Sequence, residues 1–263
     1  MRKPTAQANA TSVDWRTAGV ITPVKNQGQC GSCWAFGATE TIESQWVLDG
    51  QGIWEFSAQQ INSCTTTSAG CNGGNQIDAY NYVNSTVGLA AAVYAPYLQN
   101  LYKSSATISC STIDLTQLVP EYFYIGPYAQ VSGYEFATTP CTGKCATQDL
   151  NTLAANILQH GPASISVNAG KWGDYVGGVL TVDGCGSYNS LSLDHAVQLV
   201  GYDSVAGYWI VKNSWATNWG ENGYIRLAWD NACGYVLLSI VACFAFFIII
   251  IIFLSTTFLS LLL

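Results

Sequence analysis

The residues from Gln27 to Gly37, QGQCGSCWAFG, place Cys30 in a glycine-rich loop and Cys33 at the start of a run with helical spacing. Such a cysteine pair has three interpretations: a redox couple, half of a zinc site, or a structural cysteine beside a reactive one. A cysteine that opens a helix meets free backbone N–H groups and the positive end of the helix dipole, which favour its thiolate. The local pattern therefore favours a disulfide cysteine at Cys30 and a nucleophile at Cys33.

The rest of the sequence argues against the first two interpretations. A thioredoxin-type couple belongs to a small reducing-type domain with a βαβ pattern, and eight further cysteines are out of place there. A zinc site requires a second cysteine pair or two neighbouring histidines, whereas His160 and His195 are far apart in the sequence. We therefore expect neither a metal nor an organic cofactor. His160 precedes a Gly-Pro turn and is expected to be structural or exposed.

Composition narrows the class of protein further. The chain has 263 residues, of which 10% are charged and 13% aromatic, so it is long enough and apolar enough to bury a sizeable core. A net charge of −7 without clusters of Lys and Arg excludes nucleic acid as a partner. Ten cysteines indicate an oxidising compartment and hence a secretory route.

The hydrophobic pattern changes along the chain at about residue 122. Three helical patterns precede this point, the second of them starting at Ser57, a typical N-cap residue. Apolar and β-branched runs between Gly-rich turns follow it, interrupted by one helical segment, TQDLNTLAANILQHG; these predicted strands are ASISVNA, HAVQLVGYD, YWIVKNSW and GYIRLAW. A helical lobe followed by a strand-rich lobe predicts an α+β fold with a cleft between the two lobes.

Four segments then carry a resemblance: PVKNQGQCGSCWAFG, CNGG, LDHAVQLVGY and YWIVKNSWATNWGENGYIRL. They resemble, in the same order, the signature segments of the papain family of cysteine peptidases, including cathepsin L-like enzymes. The resemblance covers the chain from about Val13 to Gly234. It implies a papain-like fold of two lobes, a helical left lobe over about 18–121 and a strand-rich, β-barrel-like right lobe over about 122–234.

The resemblance also implies a role for each residue that matches a family position. Cys33 matches the nucleophile and His195 the general base. Asn213 matches the residue that orients the imidazole, and Trp215 the residue that shields that hydrogen bond. Gln27 matches the oxyanion-hole donor, which acts together with the backbone N–H of Cys33.

Further positions match the substrate-binding cleft. Gly73 and Gly74 match glycines whose backbone pairs with an extended peptide. Asp194 and Trp219 match residues that line the cleft in this family, and Trp215 is also expected among the substrate-binding residues. Leu193 and Leu238 fall near positions that shape the pocket for the second residue before the cleaved bond, and we expect an apolar side chain there.

Eight cysteines remain once Cys33 and Cys243 are set aside, and spacing alone cannot pair them. The resemblance implies three pairs, Cys30 with Cys71, Cys64 with Cys110, and Cys185 with Cys233. A local bridge between Cys141 and Cys145 would be a departure from the family.

The two ends of the chain depart from the family pattern. The first residues lack the apolar core of a signal peptide, so 1–12 is expected to be the remnant of a longer leader region. From 235 to 263 the chain carries no charge, and a membrane-spanning helix needs only about 20 such residues. Two interpretations of this tail remain open: a transmembrane anchor, or a last strand of the 13–234 domain followed by a segment without a role.

These observations predict a cysteine endopeptidase that cleaves protein and peptide substrates through a Cys33 thioester. It is expected to act as a monomer, with its tail as a potential membrane anchor, in a lysosomal, vacuolar or extracellular setting. Two rivals remain: a catalytically silent, disulfide-rich binding protein on the same scaffold, and an oxidoreductase in which the thiols of Cys30 and Cys33 are both free.

Overall fold

The computed structural model describes residues 10–99, 106–113, 127–140, 149–184, 193–230, 233 and 239–244. The helices follow the predicted segments and are α1 (Cys33–Leu48), α2 (Ala58–Cys64), α3 (Gln76–Ser85) and α4 (Leu150–His160). The strands are β1 (Ser12–Asp14), β2 (Leu89–Ala90), β3 (Tyr128–Ala129), β4 (Val131–Phe136), β5 (Ala163–Val167), β6 (Val179–Leu180), β7 (His195–Asp203), β8 (Tyr208–Lys212), β9 (Tyr224–Ala228) and β10 (Ser239–Phe244).

Side-chain caps explain where three of the helices begin. The side chains of Ser57, Asn75 and Asp149 each accept a hydrogen bond from a backbone N–H in the first turn of α2, α3 and α4. Helix α1 differs, because the hydroxyl of Ser32 makes no capping bond to it. The N-terminus of α1 is therefore not closed by its own cap residue.

The strand-rich lobe is built on one sheet in the order β4-β10-β5-β7-β8-β9-β6, with β1 paired to β7. Its described pairings are antiparallel except for β6 with β9. Helix α4 packs on this sheet through Leu153 and Ile157, in a core that also includes Trp209. The four predicted strands are β5, β7, β8 and β9, so the predicted architecture of this lobe is confirmed.

The helical lobe has a separate core that contains Trp34, Ile42, Ile61, Tyr80 and Val83. Helix α1 packs against α2 and α3 on one side and against β7 of the other lobe. It is buried on almost every face. The first residue of α1, Cys33, and the first residue of β7, His195, are in this way brought to the same edge of the interface between the lobes.

The start of the apolar tail belongs to the sheet. Strand β10 lies beyond residue 234, the expected end of the domain, and pairs with both β4 and β5. Among the residues that the structure describes, no helix has the length and hydropathy needed to cross a membrane. The anchor interpretation of the tail is thus not supported by the described chain, while residues 245–263 lie outside it.

Candidate active site

Cys33 is partly exposed at the N-terminus of α1 and is a free thiol. Burial alone would raise the pKa of this thiol, but its hydrogen bond to His195 and the charge of that ring lower it. Backbone N–H groups of Ala196 and Trp34 lower the pKa of Cys33 further. The environment of Cys33 therefore favours the thiolate, which is the nucleophilic form.

His195 is the partner of this thiol and is almost completely buried at the start of β7. Burial alone would lower the pKa of His195, whereas Cys33, the amide of Asn213 and the carboxylate of Asp194 raise it. The two shifts act together, because a lowered thiol pKa and a raised imidazole pKa both favour transfer of the proton from sulfur to the ring. The site is suited to hold a thiolate and imidazolium ion pair.

Asn213 fixes the orientation of this ring. Its Oδ1 lies 2.8 Å from His195 Nε2 and also accepts a hydrogen bond of 2.8 Å from the backbone N–H of Ser214. Since the Ser214 donor fixes the oxygen in that place, His195 Nε2 must carry the proton that is shared with Asn213. The other ring nitrogen, Nδ1, is then the one that faces Cys33.

Aromatic rings surround the imidazole. The ring of Trp215 lies 4.9 Å from that of His195 between centroids and tilts by 33°. Trp172, which is fully buried, meets His195 edge-on at 5.8 Å and stacks on Trp219 at 6.0 Å. Trp219 is held in turn by a bond of 3.1 Å from its Nε1 to the carbonyl of Trp172. The imidazole is thus packed against aromatic rings, and its partner Asn213 is fully buried.

Gln27 lies beside the same segment of chain. Its backbone N–H donates to the carbonyl of Ser214 at 2.9 Å, and its Oε1 accepts from the hydroxyl of Ser214 at 2.7 Å. The side-chain nitrogen donates one hydrogen to the carbonyl of Cys30 at 3.0 Å. The amide orientation of Gln27 is therefore fixed, and its nitrogen keeps a second N–H.

A cleft of about 630 Å³ opens beside Cys33 and is bordered by both lobes. Of the predicted cleft residues, Gly73, Gly74, Leu193 and Asp194 border it; Trp215 and Trp219 are not among the described residues that do. A Cβ on Gly74 would lie 2.4 Å from the ring of Trp34, so this position requires glycine. Leu238 lies outside the described residues.

The structure joins Cys30 to Cys71 and Cys64 to Cys110, which are two of the pairs implied by the resemblance. Cys233 is also disulfide-bonded, but Cys185, Cys141 and Cys145 lie outside the described residues. With Cys30 paired to Cys71 and Cys33 free, the oxidoreductase interpretation, which required two free thiols, is wrong. In the part of the chain that the structure describes, no group of His, Cys, Asp and Glu is arranged to hold a metal ion.

The sequence patterns did not single out every residue that shapes this site. Ser214 orients both Gln27 and Asn213, and Trp172 packs against His195. Gln76 and Ser166 add a polar, hydrogen-bonded pair to the cleft wall, with 3.1 Å between Gln76 Nε2 and Ser166 Oγ. Ser214 directly follows Asn213 in the fourth signature segment, so the sequence offered a way to identify it. Nothing in the sequence around Trp172 or Ser166 indicates that these residues belong to the site.

Comparison with known proteins gives an independent result. The model of the family described as papain family cysteine protease matches residues 9–242. A cysteine proteinase of Trypanosoma brucei brucei is 39% identical over 221 residues, which cover 82% of this chain and 43% of that protein. Digestive cysteine proteinase 1 of Homarus americanus is 38% identical over 238 residues, covering 87% of this chain and 66% of that protein.

Solved structures agree with this match. The Carica candamarcensis cysteine protease CMS1MS2, in complex with E-64, is similar with a TM-score of 0.72 and 32% identity, over 90% of this chain and 100% of that one. Digestive procathepsin L 3 of Tenebrio molitor has a TM-score of 0.72 and 29% identity, over 92% of this chain and 73% of that one. The chain spans about half the length of the Trypanosoma and Leishmania relatives, 43% and 58% of those proteins.

Proposed function

Because the chain belongs to the papain family of cysteine proteases, we propose that it is an endopeptidase that cleaves protein substrates with Cys33 as the nucleophile. The observation that carries the proposal is the continuous arrangement of Cys33, His195 and Asn213, in which a lowered thiol pKa meets a raised imidazole pKa. A nucleophile, a base and a group that orients the base are the parts that covalent peptide hydrolysis requires.

In the first half of the reaction the thiolate of Cys33 attacks the carbonyl carbon of the peptide. A C–S bond forms, and the electron pair of the C=O bond moves to oxygen. The second N–H of the Gln27 side chain and the backbone N–H of Cys33 are the donors that would stabilise this oxyanion. The imidazolium of His195 gives its proton to the peptide nitrogen, the C–N bond breaks, and the amine leaves a thioester on Cys33.

In the second half a water molecule attacks the thioester. His195, now neutral, takes a proton from this water as the new C–O bond forms, and the C–S bond then breaks. The products are the carboxylic acid fragment and the thiolate of Cys33 beside an imidazolium. Asn213 holds the ring in one orientation through both halves, and the surrounding tryptophans exclude competing water.

We further propose a preference for an apolar residue at the second position before the cleaved bond. Leu193 and Ala196 border the cleft on either side of His195 in sequence and support this preference. The pair of Gln76 and Ser166 also borders the cleft and is polar but uncharged. Neither Lys nor Arg is among the described residues that border the cleft, so an acidic side chain would lose its hydration there beside the carboxylate of Asp194, which disfavours it.

The proposal extends to the setting in which the protein works. Two described disulfides support an oxidising compartment on the secretory route, extracellular, lysosomal or vacuolar. The name of the Homarus relative describes it as digestive, which fits such a setting. We also propose that the protein acts as a monomer.

Titration with an epoxide that alkylates thiolates tests the proposal. We expect one equivalent to abolish hydrolysis of a peptide with Leu two residues before the cut, with the adduct on Cys33. The variant Cys33→Ala should neither react nor hydrolyse the peptide. A peptide that differs only by Glu in place of that Leu should be cleaved more slowly, which tests the preference separately.

The same experiment separates the remaining rival. A catalytically silent binding protein would show no hydrolysis by the folded chain, whether or not the epoxide reacts. Circular dichroism of the same sample shows whether the chain is folded. Folded wild-type protein that leaves every peptide intact would refute the proposed activity.

A further inference from the structure

The hydroxyl of Tyr97 links two parts of the site that are separated in sequence. Tyr97 follows β2 in the helical lobe and belongs to none of the four signature segments. Its Oη lies 3.0 Å from the carbonyl oxygen of Gln27 and 2.7 Å from the hydroxyl of Ser32. Gln27 carries one proposed oxyanion donor, and Ser32 directly precedes Cys33, which carries the other.

The direction of these two hydrogen bonds follows from the available protons. The Gln27 carbonyl has no proton, so Tyr97 must donate its single hydroxyl proton to that oxygen. Ser32 must therefore donate its own proton to Tyr97 Oη. Burial raises the pKa of Tyr97 to about 12, so the phenol stays protonated in the neutral range.

The hydroxyl of Ser32 is available for this bond because it does not cap α1. It precedes the first residue of α1, but its side chain makes no capping bond to the helix. The side chain of Ser32 is completely buried, so its hydroxyl needs a partner inside the protein. Tyr97 supplies that partner and thereby ties the start of α1 to Gln27.

The bonds of Tyr97 add to the contacts that already hold the segment between the two oxyanion donors, the disulfide of Cys30 with Cys71 and the bond from the Gln27 side chain to the Cys30 carbonyl. Residues 28–31 contain two glycines, whose backbone freedom adds little intrinsic stiffness to the loop, and Gly28 has a φ of +62°, a conformation that favours glycine. Ser214 fixes the Gln27 side chain from the strand-rich lobe. From the helical lobe, the bonds of Tyr97 fix the backbone of Gln27 relative to the backbone N–H of Cys33.

We propose that Tyr97 is a positioning residue of the oxyanion hole, acting through Ser32 and Gln27 to set the spacing of the two donors. This role rests on the proposed peptidase function. Tyr97 touches no reacting atom in it, so its removal should weaken stabilisation of the transition state without changing the chemistry of the thiol.

The variant Tyr97→Phe tests this role, since it removes only the hydroxyl and keeps the edge-to-face contact with Phe36 at 4.8 Å. We expect kcat to fall about 3- to 10-fold, the size of effect that one neutral hydrogen bond supports, with KM nearly unchanged. Affinity for a peptide aldehyde, whose adduct with Cys33 places an oxygen in the oxyanion hole, should fall by a similar factor. The rate of alkylation by iodoacetamide, which forms no oxyanion, should stay at the wild-type value.

Tyr82→Phe is the matched control. It removes a phenol hydroxyl of the same lobe that is also hydrogen-bonded, at 3.1 Å from Gln60 Nε2, but Tyr82 is not among the described residues that border the cleft. Its kcat and aldehyde affinity should match wild type. Ser32→Ala should reproduce the effect of Tyr97→Phe. The double variant should be no worse than either single variant, because all three break the connection from Ser32 through Tyr97 to Gln27.

Two results would overturn the role of Tyr97. The first is wild-type kcat and aldehyde affinity in Tyr97→Phe. The second is a parallel loss of iodoacetamide reactivity, which would place the defect in the thiolate and not in the oxyanion hole. Failure of the proposed function is a different result, because the wild-type protein would then neither cleave the peptide nor bind the aldehyde.

Discussion

The imidazole of His195 is held between groups that act on its charge. Cys33, whose thiol pKa is lowered, lies on one side, and Asn213 Oδ1 accepts from Nε2 on the other side at 2.8 Å. The carboxylate of Asp194 adds a negative charge nearby and is itself held by the backbone N–H of Ala169 at 2.7 Å. Each of these groups favours imidazolium, so the ion pair depends on more than the two residues that form it.

The directions of the two pKa shifts predict the pH profile. Activity should rise with pH as Cys33 loses its proton, which happens below the ordinary range because its pKa is lowered. It should fall at higher pH as His195 loses its proton, which happens above the ordinary range because its pKa is raised. The pH profile of kcat/KM should therefore be bell-shaped and broad.

Substitutions of Asn213 should move the descending limb of this profile in opposite directions. Asn213→Ala removes a group that raises the pKa of His195, so the limb should move to lower pH, with kcat about 10- to 100-fold lower. Asn213→Asp places a carboxylate against Nε2 and should move the limb to higher pH. The substitution Asn213→Asp loses no hydrogen bond of the Asn213 side-chain nitrogen, because that nitrogen has no partner among the described residues.

Kinetic measurement of kcat/KM against pH for the three proteins checks this prediction. Asn156→Ala, which removes an amide of α4 that bonds to the carbonyl of Ala137, is the control and should keep the wild-type profile. The assignment of Asn213 would be contradicted by a descending limb that stays in place in both variants.

At this scale the sequence predicted the reacting residues better than the residues that support them. Cys33, His195 and Asn213 lie in recognisable segments, and the structure brings their side chains together. Tyr97 and Trp172 lie in segments without a pattern, and their role arises from packing between parts of the chain that are distant in sequence. No local property of a tyrosine shows which carbonyl oxygen it will meet.

At the scale of elements, buried charges connect α1 to β8 and so connect Cys33 to Asn213. Lys212, at the end of β8, lies 3.1 Å from Glu40 of α1, and both side chains are almost fully buried. Lys25 lies 2.7 Å from Glu43 on the same helix. Asn213 follows Lys212 directly, so this ion-pair network fixes the distance between the helix that carries the thiol and the strand that leads to Asn213.

The variant Lys212→Met should be strongly destabilised, because it leaves the Glu40 carboxylate buried without its partner. Breaking a buried ion pair from one side costs about 3–5 kcal/mol. The double variant Glu40→Leu with Lys212→Met removes both charges and should recover most of this loss. Urea denaturation followed by circular dichroism gives the free energy of unfolding for each protein.

The loss in Lys212→Met should shrink as the pH is lowered. The pKa of Glu40 is already raised above its ordinary value, chiefly by burial. The charge of Glu43 also raises this pKa, whereas the charges of Lys212 and Lys25 lower it. Without Lys212 the pKa rises further, so the folded variant takes up a proton at a pH where the unfolded chain remains ionised. Folding is then favoured by protons. A loss that grows as the pH falls would contradict this account.

Burial of Glu40 and Glu43 was not predictable from the helical pattern of α1. Hydrophobic spacing locates a helix by assuming that charged residues face solvent. Here the helix lies between two lobes and is buried on almost every face, so its charged side chains are buried with it. Their partners lie in a loop and in a strand elsewhere in the sequence, where α1 itself gives no sign of them.

At the scale of the whole molecule, the sheet is completed by a strand from the apolar tail. Strand β10 lies between β4 and β5, with Ile240 opposite Phe136 on one side and Ser164 on the other. From sequence, an uncharged run of this kind is compatible with a membrane helix and with a buried strand, because both are apolar throughout. Only the pairing partners, β4 and β5, decide between these alternatives for residues 239–244.

The position of β10 predicts where the chain can be cut. A variant that ends at Leu238 removes the only described strand that joins β4 to the rest of the sheet, and each lost backbone hydrogen bond costs about 0.5–1.5 kcal/mol. A variant that ends at Phe244 keeps every described pairing of the sheet.

We therefore expect the longer variant to unfold near the melting temperature of the full chain and to bind the thiol-directed epoxide stoichiometrically. The shorter variant should melt at a far lower temperature or fail to fold. Without β10, β5 loses one of its two neighbours, and β5 is the strand that pairs with β7, which begins with His195. Equal melting temperatures for the two variants would show that β10 is not required for the sheet.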